Sequence, residues 1–223
     1  MTQSSRWSAE SQRRAVRHLV LAGGSGATVL GAAFLLPGPL NERLSLGSAY
    51  VALALLVVTL ALGPLNVLRG RPNPVSFNLR RDFGIWSAVL GLGHTALGLT
   101  VHFGGRLRMY FLAPPDSRGF LGLRADPFGL ANHTGLLAAL LLLLLALISN
   151  DLSLRSLGTA RWRWIQRWAY LILAFTLFHG AAYQLLEKQR AGLVLVFVLA
   201  AALVLALQWR GWMTVRGRKR TEA

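Results

Sequence analysis

Apolar residues fall in six long blocks along the chain, separated by shorter polar stretches rich in arginine. Each block has about the 20 residues that an α-helix needs to cross the hydrocarbon core of a bilayer. The pattern predicts an all-α protein, a six-helix transmembrane bundle. The predicted spans are residues 18–37, 47–68, 84–104, 130–149, 165–186 and 191–209. The corresponding organisation is an N-terminal tail of residues 1–17, a six-span domain of residues 18–209 and a basic tail of residues 210–223.

Composition agrees with a polytopic membrane protein, since 54% of the 223 residues are hydrophobic and 14% are charged. The 24 Lys and Arg residues give a formal net charge of +16, but they lie mostly between the apolar blocks, where they flank helices. We therefore expect the lipid bilayer, and no nucleic acid, as a partner. The chain has no cysteine, so a redox function needs a cofactor held by other ligands.

The distribution of arginine predicts the orientation in the membrane. Basic residues cluster before span one, between spans two and three, between spans four and five, and after span six. Because loops rich in Lys and Arg stay in the cytoplasm, both termini are predicted to be cytoplasmic, in a multi-pass protein of the bacterial inner membrane. The third connection, residues 105–129, carries four arginines, which weakens this bias without reversing it.

Two histidines fall near the middle of predicted spans, His94 in span three and His179 in span five. An ionisable side chain at such depth costs several kcal/mol unless it is paired or bound, so each histidine is a candidate functional residue. His94 lies 13 residues after Arg81, and His179 lies 12 residues after Arg167. Both therefore lie roughly 18 to 20 Å from the same membrane surface. Two level histidines on parallel helices can bind a haem iron from opposite faces.

Gly91 and Gly98 share the His94 face of a helix, so a flat, bulky group could approach the backbone there. For span three alone, close helix packing around a hydrogen-bonded histidine is the alternative. The absence of a carboxylate or cysteine at this depth favours haem b over a zinc or di-iron centre. The absence of a CxxCH motif excludes covalent haem.

His102 and His133 are predicted near the outer surface. His102 lies eight residues beyond His94, too far along the helix to share its coordination site. Two histidines without further ligands make a poor metal site. The main interpretation is an interfacial position for both, and an outer haem, metal or substrate site is the alternative.

Two segments resemble the ferric reductase-like transmembrane domain superfamily. LRRDFGIWSAVLGLGH, residues 79–94, is similar to its RRxLGLWAxxYxxLH stretch. RWRWIQRWAYLILAFTLFH, residues 161–179, is similar to its WxxLHRLxYxxxxLxxxH stretch. The branch it most resembles is the haem-binding membrane subunit of the bacterial periplasmic methionine sulfoxide reductase system. The resemblance covers roughly residues 45–190 and implies that His94 and His179 are haem ligands.

Gln166 departs from the family pattern, which usually has a histidine at this position, linked to a second, inner haem. Because glutamine is not a normal haem ligand, the departure implies that the second haem is lost or is bound through another residue. Electrons would then come from a donor that reaches deeper, from a quinol inside the bilayer, or from a different partner.

The sequence contains no GxGxxG loop and no soluble domain for NAD(P)H or flavin. We therefore expect a non-catalytic electron-transfer subunit of an oxidoreductase system. A separate flavin reductase or a quinol would supply electrons, and an acceptor protein on the outer, periplasmic side would receive them. Two alternatives are a cofactor-free membrane scaffold or assembly subunit and a small-molecule transporter. No Asp or Glu is expected at mid-span, unlike in an ion-coupled transporter.

Overall fold

The computed structural model describes residues 3–71, 78–113, 120–188 and 191–221. Within these ranges the chain is almost entirely helical and has no β-strand, only an isolated bridge between Leu112 and Leu123. Six helical segments are long and apolar enough to cross a membrane. The all-α, six-span prediction is confirmed.

Eight α-helices account for most of the described chain. α6, α7 and a π-helical turn at Tyr183–Glu187 together form the fifth candidate span, whereas α4 is a single turn in the third connection. The helices are α1 (Gln3–Leu35), α2 (Leu40–Leu68), α3 (Asn78–Val101), α4 (Arg108–Phe111), α5 (Pro127–Leu147), α6 (Asp151–Gln166), α7 (Ala169–Ala182) and α8 (Ala191–Thr221).

Several helices extend beyond the predicted spans, because charged residues at a membrane surface do not end a helix. α2 begins at Leu40 directly after Pro39, seven residues before the predicted start at 47. Proline suits a helix start because its missing N–H leaves no intrahelical bond unmade. α1 and α8 continue as helix into the predicted tails. Residues 1–2 and 222–223 of those tails lie outside the described residues.

α2 is the central helix of the bundle. It packs along α3 and also contacts α1, α7 and α8, while α5 packs against α7 and α3. The helices that carry the two central histidines, α3 and α7, are not themselves a closely packed pair. The apolar core lies where α2, α5, α7 and α8 meet, and consists of Leu53, Leu56, Leu60, Leu145, Ala169, Ile172, Leu173, Phe197 and Val204.

The outward faces of the bundle are apolar. On α1, Leu19 and Phe34 are exposed, and a Cβ added at Gly24 would meet no atom within 4 Å. On α8, Leu195 and Leu205 are likewise exposed. Large exposed aliphatic side chains on long helices suit contact with lipid hydrocarbon, as expected of a multi-pass membrane protein.

Candidate functional site

A cavity lies inside the bundle between α2, α3, α5 and α7. It has a volume of about 190 Å³, and most of its lining residues are apolar. His94 and His179 line it, as do Gly91 and Gly98. The structure therefore brings to one cavity the four residues that the sequence predicts for the central site.

The rings of His94 and His179 lie close together at this cavity. Their centroids are 6.0 Å apart, and their planes make an angle of 69°. Two imidazoles that share one metal ion need about 6 Å, since each metal–nitrogen bond is about 2 Å and each nitrogen lies roughly 1 Å from its ring centre. Shared coordination requires no particular angle between the two imidazole planes, so 69° is compatible with it. The centroid separation is therefore compatible with a metal ion held between the two residues.

Hydrogen bonds at Nδ1 give both rings the same tautomer. His94 Nδ1 lies 2.9 Å from the carbonyl oxygen of Ser45, and His179 Nδ1 lies 2.8 Å from that of Ala131. A carbonyl oxygen only accepts, so Nδ1 of each ring carries the proton and donates it. Nε2 of each ring then keeps the lone pair that a metal ion requires, and the carbonyl fixes the orientation of the ligand.

Gly135 allows the ring of His179 to lie against the backbone of α5. A Cβ at this position would be 2.6 Å from His179 Nδ1 and 2.8 Å from Cε1, closer than side-chain atoms approach each other. Without a side chain at 135, the ring reaches the Ala131 carbonyl one turn earlier on α5. Gly135 was not predicted as a site residue, although it is the one glycine in the predicted span 130–149.

Ser45 supports His94 from α2. Besides its carbonyl, it places its hydroxyl oxygen 3.0 Å from His94 Nδ1, and its side chain is buried. Ser45 was not predicted as a site residue, because the predicted span two begins at residue 47. A small polar residue two positions before an apolar block was the available signal.

The two predicted glycines of α3 differ in how closely neighbouring side chains approach them. A Cβ at Gly98 would lie 3.4 Å from the Ser45 hydroxyl oxygen and 3.9 Å from His94 Cε1. A Cβ at Gly91 would lie 2.8 Å from Cδ1 of Leu142, the flexible end of a side chain. Both line the cavity, and their predicted contact with a flat ligand stays a prediction.

The structure does not bring His102 and His133 together. His102 lines the cavity near the ion pair between Lys188 Nζ and Glu42 Oε1, which are 2.9 Å apart. His133 packs on Phe111, with ring centroids 5.7 Å apart, and is not part of the cavity lining. Among the described residues, no group of three His, Cys, Asp or Glu side chains could hold a metal ion. The described residues therefore supply no further ligand for a metal site at His102 and His133.

Tyr183 connects the central histidines to the Glu42–Lys188 end of the cavity. Its ring centroid lies 5.0 Å from that of His179 and 6.2 Å from that of His102. Its hydroxyl donates a hydrogen bond to Asn132 Oδ1 at 2.7 Å. Tyr183 was not predicted as a site residue, although a residue four after His179 lies on the same helix face.

Gln166 lies away from the cavity. Its Nε2 donates a hydrogen bond of 3.2 Å to the Ser149 hydroxyl oxygen. In the structure, the Gln166 side chain links the end of α6 to the segment after α5 through this hydrogen bond.

A buried carboxylate at the start of α3 was also missed. Asp82 has no exposed surface, and its oxygens lie 3.0 Å from Arg17 Nε and 3.3 Å from His18 Nε2. His18 Nδ1 accepts a hydrogen bond of 3.0 Å from Trp86 Nε1. Arg14 Nε lies 3.5 Å from the same carboxylate. The cluster joins α1 to α3 and explains how a charged residue is tolerated in a candidate span.

Comparisons with known proteins assign no family to this chain. No family model matches it, and no solved structure matches it significantly.

Proposed function

We propose that the protein binds one haem b between His94 and His179 and transfers electrons across the bacterial inner membrane. The observation that carries this proposal is the geometry of the two rings. Their centroids are 6.0 Å apart where both line one cavity, and each ring has its Nδ1 bonded to a backbone carbonyl. When bound, a haem supplies one-electron redox chemistry at its iron.

The ligand count favours haem over a bare metal ion. A zinc site takes three or four protein ligands, and the described residues offer no third His, Cys, Asp or Glu beside the two rings. A haem iron needs the protein only for its axial positions, because the macrocycle fills the others. The apolar walls of the cavity also suit a ligand with an apolar macrocycle.

Several residues of the chain would prepare the site. The carbonyl groups of Ser45 and Ala131 hold the rings in orientation and raise the basicity of Nε2. Gly135 admits the ring of His179 against α5. Aliphatic side chains such as Leu53 and Leu142 line the cavity and exclude water from it.

The direction of transfer follows from the arginine distribution. With both termini cytoplasmic, the Glu42–Lys188 end of the cavity faces the outer, periplasmic side. Tyr183 and His102 lie between His179 and that end, so the aromatic side chains of the site extend outward. A separate flavin reductase or quinol would donate the electrons, and a periplasmic protein would accept them. The protein would then serve as a non-catalytic subunit of an oxidoreductase system.

The resemblance of residues 79–94 and 161–179 to the ferric reductase-like superfamily supports the same proposal. The branch of that superfamily that the chain most resembles consists of haem-binding membrane subunits. The hydrogen bond from Gln166 to Ser149 supports a single haem, since that amide is already used between two helices.

Absorption spectroscopy of protein purified from haem-supplied cells tests the proposal. The wild type should show a Soret band and, after reduction, the α band of a low-spin haem b. His94→Ala and His179→Ala should each abolish the low-spin spectrum. His133→Ala is the matched control outside the cavity and should retain it. A wild type without these bands would refute the proposal and favour a cofactor-free scaffold or a transporter.

A further inference from the structure

The cavity is polar at one end and apolar along most of its remaining walls. Glu42, Gln184 and Lys188 line the polar end. Glu42 lies in the first turn of α2, and the other two residues lie at and just after the π-helical turn that follows α7. An amphipathic ligand with a single polar edge would therefore fit in one orientation.

Lys188 supplies the positive charge at this end. Among the described residues that line the cavity, it is the only lysine or arginine. Its Nζ lies 2.9 Å from Glu42 Oε1. An ammonium group has three N–H donors, so this ion pair leaves donors for a second acceptor.

Gln184 supplies a polar group without a partner. Its side chain is 3% exposed, and its Oε1 has no hydrogen-bond partner in the described part of the chain. Buried amides are normally hydrogen-bonded, so this group is available to a ligand in the cavity. Rotation of the amide exchanges its oxygen and its NH₂, which allows Gln184 to donate a hydrogen bond.

We propose that this polar end binds the propionate carboxylates of the haem, with Lys188 as ion-pair partner and Gln184 as hydrogen-bond donor. The inference rests on the proposed function. Haem b has an apolar macrocycle and carries both carboxylates on one edge, which matches a cavity that is polar at one end. The carboxylate edge of the cofactor then points to the outer side of the membrane.

Substitution of Glu42 should change propionate recognition in the opposite direction to substitution of Lys188. Its carboxylate faces the same ammonium group from α2 and competes with a bound propionate for it. Lys188→Met should therefore weaken the recognition of propionates, whereas Glu42→Gln should strengthen it.

The experiment compares haem b with haem b dimethyl ester, whose carboxylates are blocked. Haem-free full-length protein is titrated with each compound in detergent, and binding is followed by the Soret band. We expect the wild type to bind haem b about tenfold more tightly than the diester, since a charge-assisted contact is lost. Lys188→Met should remove most of this preference, and Glu42→Gln should increase it. Arg106→Met, which alters an exposed cation outside the cavity lining, should leave it unchanged.

The outcomes separate this inference from the proposed function. Equal affinity of the wild type for both compounds would overturn the propionate site and leave the haem assignment intact. Failure of the wild type to bind either compound would refute the proposed function, and the propionate site with it. Binding of the diester by Lys188→Met with wild-type affinity shows that the variant is folded. If that variant does not fold, an unchanged preference in Glu42→Gln overturns the inference.

Discussion

Gly135→Ala should weaken haem binding by displacing the ring of His179. The added Cβ would lie 2.6 Å from His179 Nδ1, and ordinary contact begins at 3.4 Å, so the ring must retreat by about 0.8 Å. A retreat from α5 lengthens the 2.8 Å bond between Nδ1 and the Ala131 carbonyl to about 3.6 Å, beyond hydrogen-bond range. Loss of such an orienting bond typically lowers metal affinity by about 10- to 100-fold.

Haem titration of the purified variants measures this effect. Gly93→Ala is the matched control, because it changes the neighbour of His94 and its Cβ would meet no atom within 4 Å. The control should bind haem as the wild type does and be at least as stable, since alanine favours a helix by roughly 1 kcal/mol over glycine. The reasoning is refuted if Gly135→Ala binds haem with wild-type affinity and an unchanged spectrum.

Three further predictions concern the surroundings of the site. Asp82→Asn should lower the free energy of unfolding by about 2 kcal/mol, which is less than for a fully buried ion pair because Arg17 and His18 remain partly exposed. Thermal unfolding in detergent measures this change. An unchanged midpoint would contradict a stabilising role of the cluster. Gln166→Ala should lower the free energy of unfolding by about 1 kcal/mol, because the hydrogen bond to Ser149 is lost. The haem content should stay at one per chain, and a haem stoichiometry of two in the wild type would contradict the single-haem proposal. The Arg124 guanidinium lowers the pKa of Asp126, so the stability that Asp126 contributes is present above its unfolded pKa of about 3.9 and is lost as the pH falls through the lower folded value. The stability difference between the wild type and Asp126→Asn should therefore shrink from pH 7 to pH 3, and a constant difference would count against the ion pair.

The sequence predicts the helices well because hydrophobic blocks of fixed length are imposed by the bilayer. The equal depth of His94 and His179 follows from the same constraint. Rise per residue is constant in an α-helix, so distance along the chain from a membrane surface fixes depth. The structure brings the two rings to 6.0 Å, whereas their function as haem ligands stays a prediction.

The supporting residues could not be predicted, because they depend on which helix faces meet. Ser45 and Gly135 lie on helices other than those of the histidines they contact, and depth along the chain says nothing about rotation. Asp82 was missed for a related reason. A charge in a candidate span looks unfavourable until Arg17 and His18 of a different helix are brought to it.

Electron paramagnetic resonance of the oxidised protein at low temperature tests the central claim most directly. Two histidines on one ferric haem give a low-spin signal, and ring planes near perpendicular make that signal highly anisotropic. With an angle of 69° between His94 and His179, the account predicts a highly anisotropic low-spin signal that disappears in either alanine variant. A purely high-spin signal, or a low-spin signal that persists in His94→Ala and in His179→Ala, would contradict it.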